Sequence, residues 1–501
     1  MKNILVILIT SSLFFYSCIN PESQSEIQLT EETKQLVSIL EDKIYINIYL
    51  DGELSPQFKK LKSSVHDLIS QFQNLSEKEI DFEFVQIKEK DTTKQEGVYN
   101  PLVNIDIHPI WVKNNESFHK TYPYAIVHFR EKSIPVLLHN SLYYDTIMEL
   151  DDTELKNSIN YLQYNFIEAF YLLQQNEKKR IAFLMGNEQL DSTNTWDIRN
   201  TLSRFYTVDF FDLRSFEINT STNEPDIKKQ IEKLNQYKCL IIAKPNKEFL
   251  DIDKLLLDQY IMSGGKTLWL IEGTSANMNN FNGNMDFTLK DNNLSLNELL
   301  IHYGATINKD VITDEKCSKS PVYYNNEIAY FNWPYKPILT TNSNHVIGKL
   351  EDSILTDFVS SINIIDKKNS TILIQSSKKT NTIQINDEVS FDIIKNPPIT
   401  FEGQKTTAVL IEKKFNSAYS YINNNEVKKK SELNKMIIIS DGDIIANIHN
   451  PPNFYYPLGY YHYGRNIFDG NTNFILNSIQ YLCGDEELIK VLNYTKLNHE
   501  K

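Results

Sequence analysis

From Leu29 onward the chain switches repeatedly between two spacings of apolar residues. LTEETKQLVSIL places apolar positions three and four apart behind Thr30, with Glu31 and Glu32 in the first turn, which predicts a capped helix. KIYINIYL alternates apolar and polar positions as a half-buried strand does. Between Pro56 and Leu75, the residues Phe58, Leu61, Val65, Leu68, Ile69 and Phe72 fall on one helical face. IDFEFVQI is strand-like again, so residues 29–88 predict a β-α-β unit with a leading helix. YAIVHF and SIPVLL predict a strand pair that completes a first domain over residues 25–145.

Residues 150–178 form one long amphipathic segment. Leu155, Ile159, Leu162, Phe166, Phe170 and Leu173 recur every three or four positions behind Asp151 and Asp152, which predicts a linking helix packed on its neighbours. The next stretch is the most regular. RIAFLMG, YTVDFFDL, CLIIAKP and KTLWLIEG predict strands; Thr193 to Phe205, Asp226 to Leu234 and Asp251 to Met262 predict the helices between them. Apolar strands alternating with helices indicate a mostly parallel sheet covered on both faces, the doubly wound, flavodoxin-like class. This larger domain is expected over residues 179–485, with a loop-rich insertion at about 274–370. LNELLIHYG predicts a short helix ended by Gly304. STILIQS, VSFDII, TTAVLIEKKF and KMIIIS are expected to extend the sheet, and Asn473 to Leu482 to form a last helix. Residues 486–501 are expected to be a polar tail.

A chain of 501 residues with 41% hydrophobic and 12% aromatic content has ample material for two or three cores. A net charge of −14 speaks against a nucleic-acid footprint, which relies on clustered Lys and Arg. Lys428, Lys429 and Lys430 sit among acidic and polar neighbours and read as a solvated face. The first 18 residues have the anatomy of a signal peptide: a short positive head at Met1-Lys2-Asn3, an apolar run from Ile4 extended by Leu13 to Tyr16, then Ser17-Cys18. A small residue before Cys18 suits a lipoprotein signal in which that thiol is lipidated, although Phe15 and Tyr16 depart from the usual pattern. A retained membrane anchor and simple cleavage are the alternatives, and each exports the chain. Cys239, Cys317 and Cys483 are far apart, with neither disulfide nor metal-ligand spacing. No second apolar span of membrane length is present.

Five separated blocks, QYIMSGGKTLWLIEG, CLIIAKPNKEF, NWPYKPILTTNSNHVIGKL, MIIISDGDIIANI and PLGYYHYGRNIFDGNTNFILNSIQYL, resemble the gliding-motility GldG family of Bacteroidetes, within the wider group of ABC-transporter auxiliary proteins. The resemblance runs from about Leu29 to Leu482. It implies a membrane-anchored accessory of the cell envelope, with its folded part periplasmic, that works beside a separate ABC permease and ATPase. It also implies a sheet domain like that of class I glutamine amidotransferases without their active site. The family usually starts with a longer membrane helix and often has another near its carboxyl terminus. Here the leader has lipoprotein form, which leaves open whether the inner or the outer membrane holds it.

Candidate chemistry centres on KMIIISDGDIIAN, where Asp441 and Asp443 come directly after a buried strand, a place where α/β enzymes hold metals or phosphates. No Gly-x-Ser-x-Gly elbow accompanies them, and Cys239 precedes the apolar body of its strand, which argues against a cysteine hydrolase. There is no Walker A pattern; Gly264-Gly265 comes before a strand and reads as a helix-ending turn. No HxH or HExxH pair exists, although His449 and His462 flank a loop rich in Pro and Tyr. The expectation is therefore a protein that is not an enzyme, with no cofactor and no resident metal. Asp441-Gly442 has turn chemistry, with Asp443 as a cap for the segment after it. The loop PPNFYYPLGYYHYGRNIF is expected at the carboxyl edge of the sheet. Asp441, Asp443, Tyr455, Tyr460, Tyr461 and His462 form the candidate surface for a partner protein or an envelope glycan. Two alternatives stand beside this reading: a divalent-metal-dependent or degenerate hydrolase using the two aspartates, and a solute-binding lipoprotein.

Overall fold

The computed structural model describes residues 27–86, 110–114, 117–139, 147–148, 151–220, 223–324, 327–422 and 427–499. The leader and Cys18 lie outside the described residues. The first unit contains α1 (Glu31–Ser38), β1 (Ile44–Ile48), α2 (Pro56–Leu75), β2 (Ile80–Phe84), β3 (Tyr124–Phe129) and β4 (Lys132–Leu137). Thr30 caps α1, its side chain accepting from the Thr33 amide, and Ser55 caps α2 through the Phe58 amide ahead of Pro56. Strands β1 and β2 are parallel, as a β-α-β unit requires, while β3 and β4 form an antiparallel pair beside β1. The predicted face of α2, from Phe58 to Phe72, is fully buried.

Helix α3 (Asp152–Gln174) opens with a capping box between Asp151 and Glu154. Its Phe166 and Phe170 meet Phe72 of α2 edge to face, so its apolar stripe belongs to the first unit's core as much as to the second's. The second unit then runs β5 (Arg180–Met185), α4 (Trp196–Ser203), β6 (Thr207–Asp212), α5 (Ile227–Leu234), β7 (Cys239–Ala243), α6 (Asp251–Met262), β8 (Lys266–Leu270), α7 (Asn297–Tyr303), β9 (Cys317–Tyr324), β10 (Glu327–Thr341), β11 (Ser370–Gln375), β12 (Thr406–Asn416), β13 (Lys430–Ile439), α8 (Asp469–Cys483) and α9 (Glu486–His499).

One sheet spans this unit in the order β9-β10-β11-β12-β13-β8-β7-β5-β6, with Ser353–Leu355 paired to β10. The five strands from β6 to β13 are parallel, and numbered among themselves they lie 2-1-3-4-5, a common doubly wound order. The remainder is antiparallel. Side chains alternate between two cores: Ile241, Leu268 and Ile437 face α8, whereas Leu240, Trp269 and Ile438 face α6 and α7. The fold is mixed α/β, and of the late strands STILIQS, TTAVLIEKKF and KMIIIS extend the middle sheet, the first two by antiparallel pairing; VSFDII does not, since Glu388–Ser390 pairs with Asp286–Thr288 in a separate two-stranded sheet and Asp392–Lys395 is helical. The Gly264-Gly265 turn ends α6, and a Cβ on Gly265 would lie 2.2 Å from the Tyr260 ring.

Two further expectations need correction. The insertion at 274–370 is not simply loop-rich, since Cys317 to Thr341 form a long hairpin whose second strand buries Trp333, Tyr335, Leu339 and Thr341 in alternation. Proline and asparagine in that stretch hide its period of two. Residues 486–499, expected as a polar tail, form α9 and bury Leu488, Ile489, Val491 and Leu492. Those four make one helical face, narrow enough to be masked by polar neighbours.

The joint between α8 and α9 is also the joint to α3. Asp485, 3% exposed, accepts hydrogen bonds from Tyr206 at 2.7 Å and from Tyr171, and pairs with Lys179. Replacing it by alanine removes the acceptor of two phenol hydroxyls and the counter-charge of Lys179, whose ammonium keeps only the Cys483 carbonyl at 3.0 Å. Asp485→Ala is expected to lower the unfolding free energy by about 3 kcal/mol, read from urea denaturation; a change under about 0.5 kcal/mol, the range of ordinary surface substitutions, would show that the joint does not depend on it.

Candidate functional site

Three adjacent parallel strands end level with one another. Ala243 of β7 is in register with Leu270 of β8, and Leu270 with Ile439 of β13. The ladder continues one step further, Lys244 donating to the Leu270 carbonyl at 2.8 Å and Ile271 to that of Ile439 at 3.0 Å. The residues just past each strand end are therefore brought together: Lys244 after β7, Glu272 after β8, and Asp441 and Asp443 after β13.

The four groups form one charged cluster. Glu272, Asp441 and Asp443 each present an oxygen within 4.8 Å of the others. The Lys244 ammonium lies 2.5 Å from Asp443 Oδ1 and 3.8 Å from Glu272 Oε1. Glu272 Oε1 also accepts from the Gly442 amide at 2.8 Å. Asp441 Oδ1 accepts from the amides of Asp443 and Ile444, at 2.6 and 3.3 Å, and its Oδ2 from that of Asp357 at 3.1 Å. The cap of this turn is thus Asp441 and not Asp443, because only the buried carboxyl faces the amides. A Cβ on Gly442 would lie 2.5 Å from Cβ and Cγ of Lys244, so the glycine gives the lysine stem its path.

Burial pushes the Asp441 carboxyl up to about 8, helped by the Asp443 charge and opposed by Lys244. Burial likewise holds Glu272 well above the usual carboxylate range, against the pull of Lys244. For Lys244, burial works against the charged form, but Glu272 and Asp443 outweigh it and raise its affinity for the proton. A second pair continues the cluster: Lys336 stands 3.0 Å from Asp357, whose carboxyl burial lifts to about 6 despite that ammonium. Glu272, Asp441 and Asp443 are the residues with the chemistry to hold a cation, and the Lys244 ammonium already fills that role toward Asp443.

The tyrosine-rich loop lies beside this cluster. Asn447 accepts from the Asp197 amide at 3.1 Å and donates to the Thr193 carbonyl at 3.1 Å, and the Leu458 amide donates to Asp197 at 2.8 Å; these bonds fix the loop to the start of α4. Tyr455 is stacked between Trp196 and His449, with ring centroids 4.6 Å away on each side. From Phe454 a chain of ring contacts passes through Tyr456, Tyr460, His462 and Tyr463 to Tyr330 on the hairpin. Tyr461 donates its hydroxyl to the Lys319 carbonyl of β9. Lys336 joins band and cluster, since its charge is held by Asp357 and feels both Asp443 and Tyr463.

The structure thus places Asp441 and Asp443 in the cluster, and Tyr455, Tyr460, Tyr461 and His462 in the band next to it. Sequence reasoning missed Lys244 and Glu272, although CLIIAK and LWLIE end as IIISD does, with a charge directly after an apolar strand. Trp196, Lys336 and Asp357 carry no comparable local signal. Cys239, by contrast, sits at the first position of β7, and burial pushes its thiol well above the usual range.

The family described as an ABC-type uncharacterized transport system matches residues 178–478, and the chain belongs to it. A domain of unknown function matches residues 24–128. No curated protein matches. Among solved structures, one titled mmIFT52 N-terminal domain is similar over 61% of this chain and 97% of its own, at 14% identity and a TM-score of 0.36. A likeness at that level carries no argument.

The cluster makes stability fall with pH. Asp441 binds its proton up to about 8 in the folded chain against an ordinary value of 3.8, so between those limits the folded state holds more protons than the unfolded one. Its stabilising protonation is complete below the lower limit and lost as pH rises through the upper. Asp357 and Glu272 act in the same direction. Urea midpoints of the wild type are expected to drop from pH 5 to pH 8, and Asp441→Asn to flatten that slope. An unchanged slope in the variant would place the titrating group elsewhere.

Proposed function

We propose that this member of the ABC-type transport family is a non-catalytic auxiliary subunit, and that the aromatic band at the carboxyl edge is where it docks on other components of the transporter. The single observation that supports this most is the unbroken chain of rings from Phe454 to Tyr330, much of it in solvent: Phe454 is 57% exposed and Tyr330 52%. Neighbouring Trp196, Ile448, Ile467 and Ile328 are exposed as well. Contiguous exposed apolar surface marks interaction sites, and rigid aromatic anchors dominate the energy of protein interfaces.

The rest of the reading comes from the leader and the resemblance. The chain is exported and held to a membrane of the envelope through a lipid on Cys18 or a retained leader, with its folded part on the periplasmic side. The permease and ATPase are separate chains, and the assembly serves gliding motility or envelope transport. No helix among the described residues is long and apolar enough to cross a membrane. The cluster beneath the band holds its carboxylates on amides and on Lys244, an arrangement that suits positioning the loop better than turning over a substrate.

Phe454→Ser with Tyr463→Ser is expected to reduce co-purification of the permease and ATPase from solubilised membranes about tenfold, equivalent to about 1.4 kcal/mol. Tyr421→Ser, at the opposite edge of the sheet and 76% exposed, serves as the control and is expected to change nothing. Equal recovery with both variants would remove the docking surface, and recovery of the wild type without any permease would remove the function. Palmitate incorporation that survives Cys18→Ser would separately exclude the lipid anchor.

A further inference from the structure

On the other side of Glu272 from the band lies a cavity of about 330 Å³, between the end of β8, α6 and the loop leading into α7. We propose that it is a binding site for a neutral polyhydroxylated molecule of monosaccharide size. This goes beyond the docking function, which does not require it.

Position and build support a preformed site. Ligands of open α/β sheets bind outside the carboxyl ends of the strands, and the cavity opens directly after β8 at Ile271, Glu272 and Gly273. Its outer wall, residues 291–298, is pinned to the segment before α6: the Phe249 amide donates to the Leu294 carbonyl at 3.0 Å, and Ser295 Oγ to Glu248 at 2.6 Å. Asn293 and Ser295 both hold left-handed backbone conformations, at φ 41° and 57°, and the Asn293 amide is fixed on Asp291 at 3.1 Å. A wall held this way has little ordering entropy left to lose on binding. The volume is at the small end of the range for small-molecule sites, roughly 300–1,000 Å³.

The chemistry of the lining selects the ligand class. Each of its lysines has an acidic partner at the surface, Lys309 in Asp291 and Lys254 in the exposed Asp251 at 2.9 Å. Glu272 is occupied by the Gly442 amide and Lys244. No unpaired cation on the wall invites a carboxylate or phosphate, and Glu298 at the rim repels one. Asn292 already donates its side-chain nitrogen to the Glu272 carbonyl at 3.2 Å, and Ser295 its hydroxyl to Glu248, so the polar groups left for a ligand are the side-chain amides of Asn293 and Asn297, and an amide both donates and accepts, as a hydroxyl does. Ile271, Leu294, Leu300 and Ile307 provide an apolar floor for the C–H face of a sugar ring. Mixed apolar floor and paired donor-acceptor rim is the combination a polyol satisfies and an ion does not.

The test uses the purified chain and saturation-transfer NMR, with neutral aldohexoses, glucuronate and glucosamine as probes at millimolar concentration. At least one neutral hexose is expected to give saturable transfer, with glucuronate giving none. Leu300→Trp, which fills the cavity, and Asn297→Ala are each expected to weaken that binding at least tenfold. Circular dichroism checks the fold, and if the buried Leu300→Trp substitution unfolds the chain, Asn297→Ala decides alone. Absence of transfer from every neutral hexose, equal or stronger binding of glucuronate or glucosamine, or full binding in Asn297→Ala would each overturn the proposal. None of these outcomes bears on recovery of the permease, so the site and the docking face stand or fall separately.

Discussion

The Lys244 ammonium is the charge on which the carboxyl edge of the sheet depends. Three in-register strands deliver Glu272, Asp441 and Asp443 to one place, and two of these carboxyls are almost wholly buried. Like charges at that separation do not all ionise: Asp441 and Glu272 hold their protons above the ordinary carboxylate range, and the lysine pairs with Asp443, from a backbone in the left-handed region at φ 49° and over a residue with no side chain. That geometry in turn fixes the turn at Asp441, and through Asn447 the direction in which the chain leaves the sheet. The placement of the tyrosine loop is therefore tied to the half-buried Lys244–Asp443 pair, whose aspartate lies several residues upstream of it.

The change from parallel to antiparallel pairing at β13 has a consequence of similar weight. Parallel strands need crossover helices on both faces, whereas β9 and β10 can run on as a bare hairpin. That hairpin brings Tyr330 to Tyr463 and the Lys319 carbonyl to Tyr461. Since the carbonyl of Lys319 points away from β10, and Pro321 shares its parity, the outer edge of β9 presents a proline where a donor would otherwise stand. A free strand edge is a template for unwanted pairing. Here it is blunted by the proline and covered by a tyrosine, which leaves side chains, and not open backbone, at the proposed docking face.

Much of this was legible from local pattern. Helices α2, α3 and α6 and the strands of the parallel half are set by apolar spacing and caps, because their burial is one-sided for helices and continuous for strands. The hairpin and α9 were not, for opposite reasons: β10 dilutes its alternation with Asn and Pro, and α9 buries only a narrow stripe. At the candidate site, Asp441 and Asp443 stood out because two charges in a tight turn are conspicuous. Lys244 and Glu272 are single charges at strand ends, conspicuous only once the strands are known to be neighbours. Asp357 and Lys336 are non-local in every sense, since nothing in their surroundings anticipates a pair that closes across the sheet.

The same geometry bears on what the acidic turn can do. A general base needs a free lone pair and access to a substrate, yet Asp441 is buried and already accepts from three backbone amides, two on one oxygen and one on the other. Asp443 is bound to Lys244, and the buried Glu272 is bound to Gly442. A divalent ion would have to displace the ammonium before it gained three oxygens, exchanging one internal pair for another. The groups are arranged as a strut: Glu272 forms part of a cavity wall on one side and grips the turn on the other, and the turn carries the aromatic band. An occupant of the cavity would press on the residue that holds this strut, so any influence of a bound solute on the docking face would pass through Glu272 and Gly442.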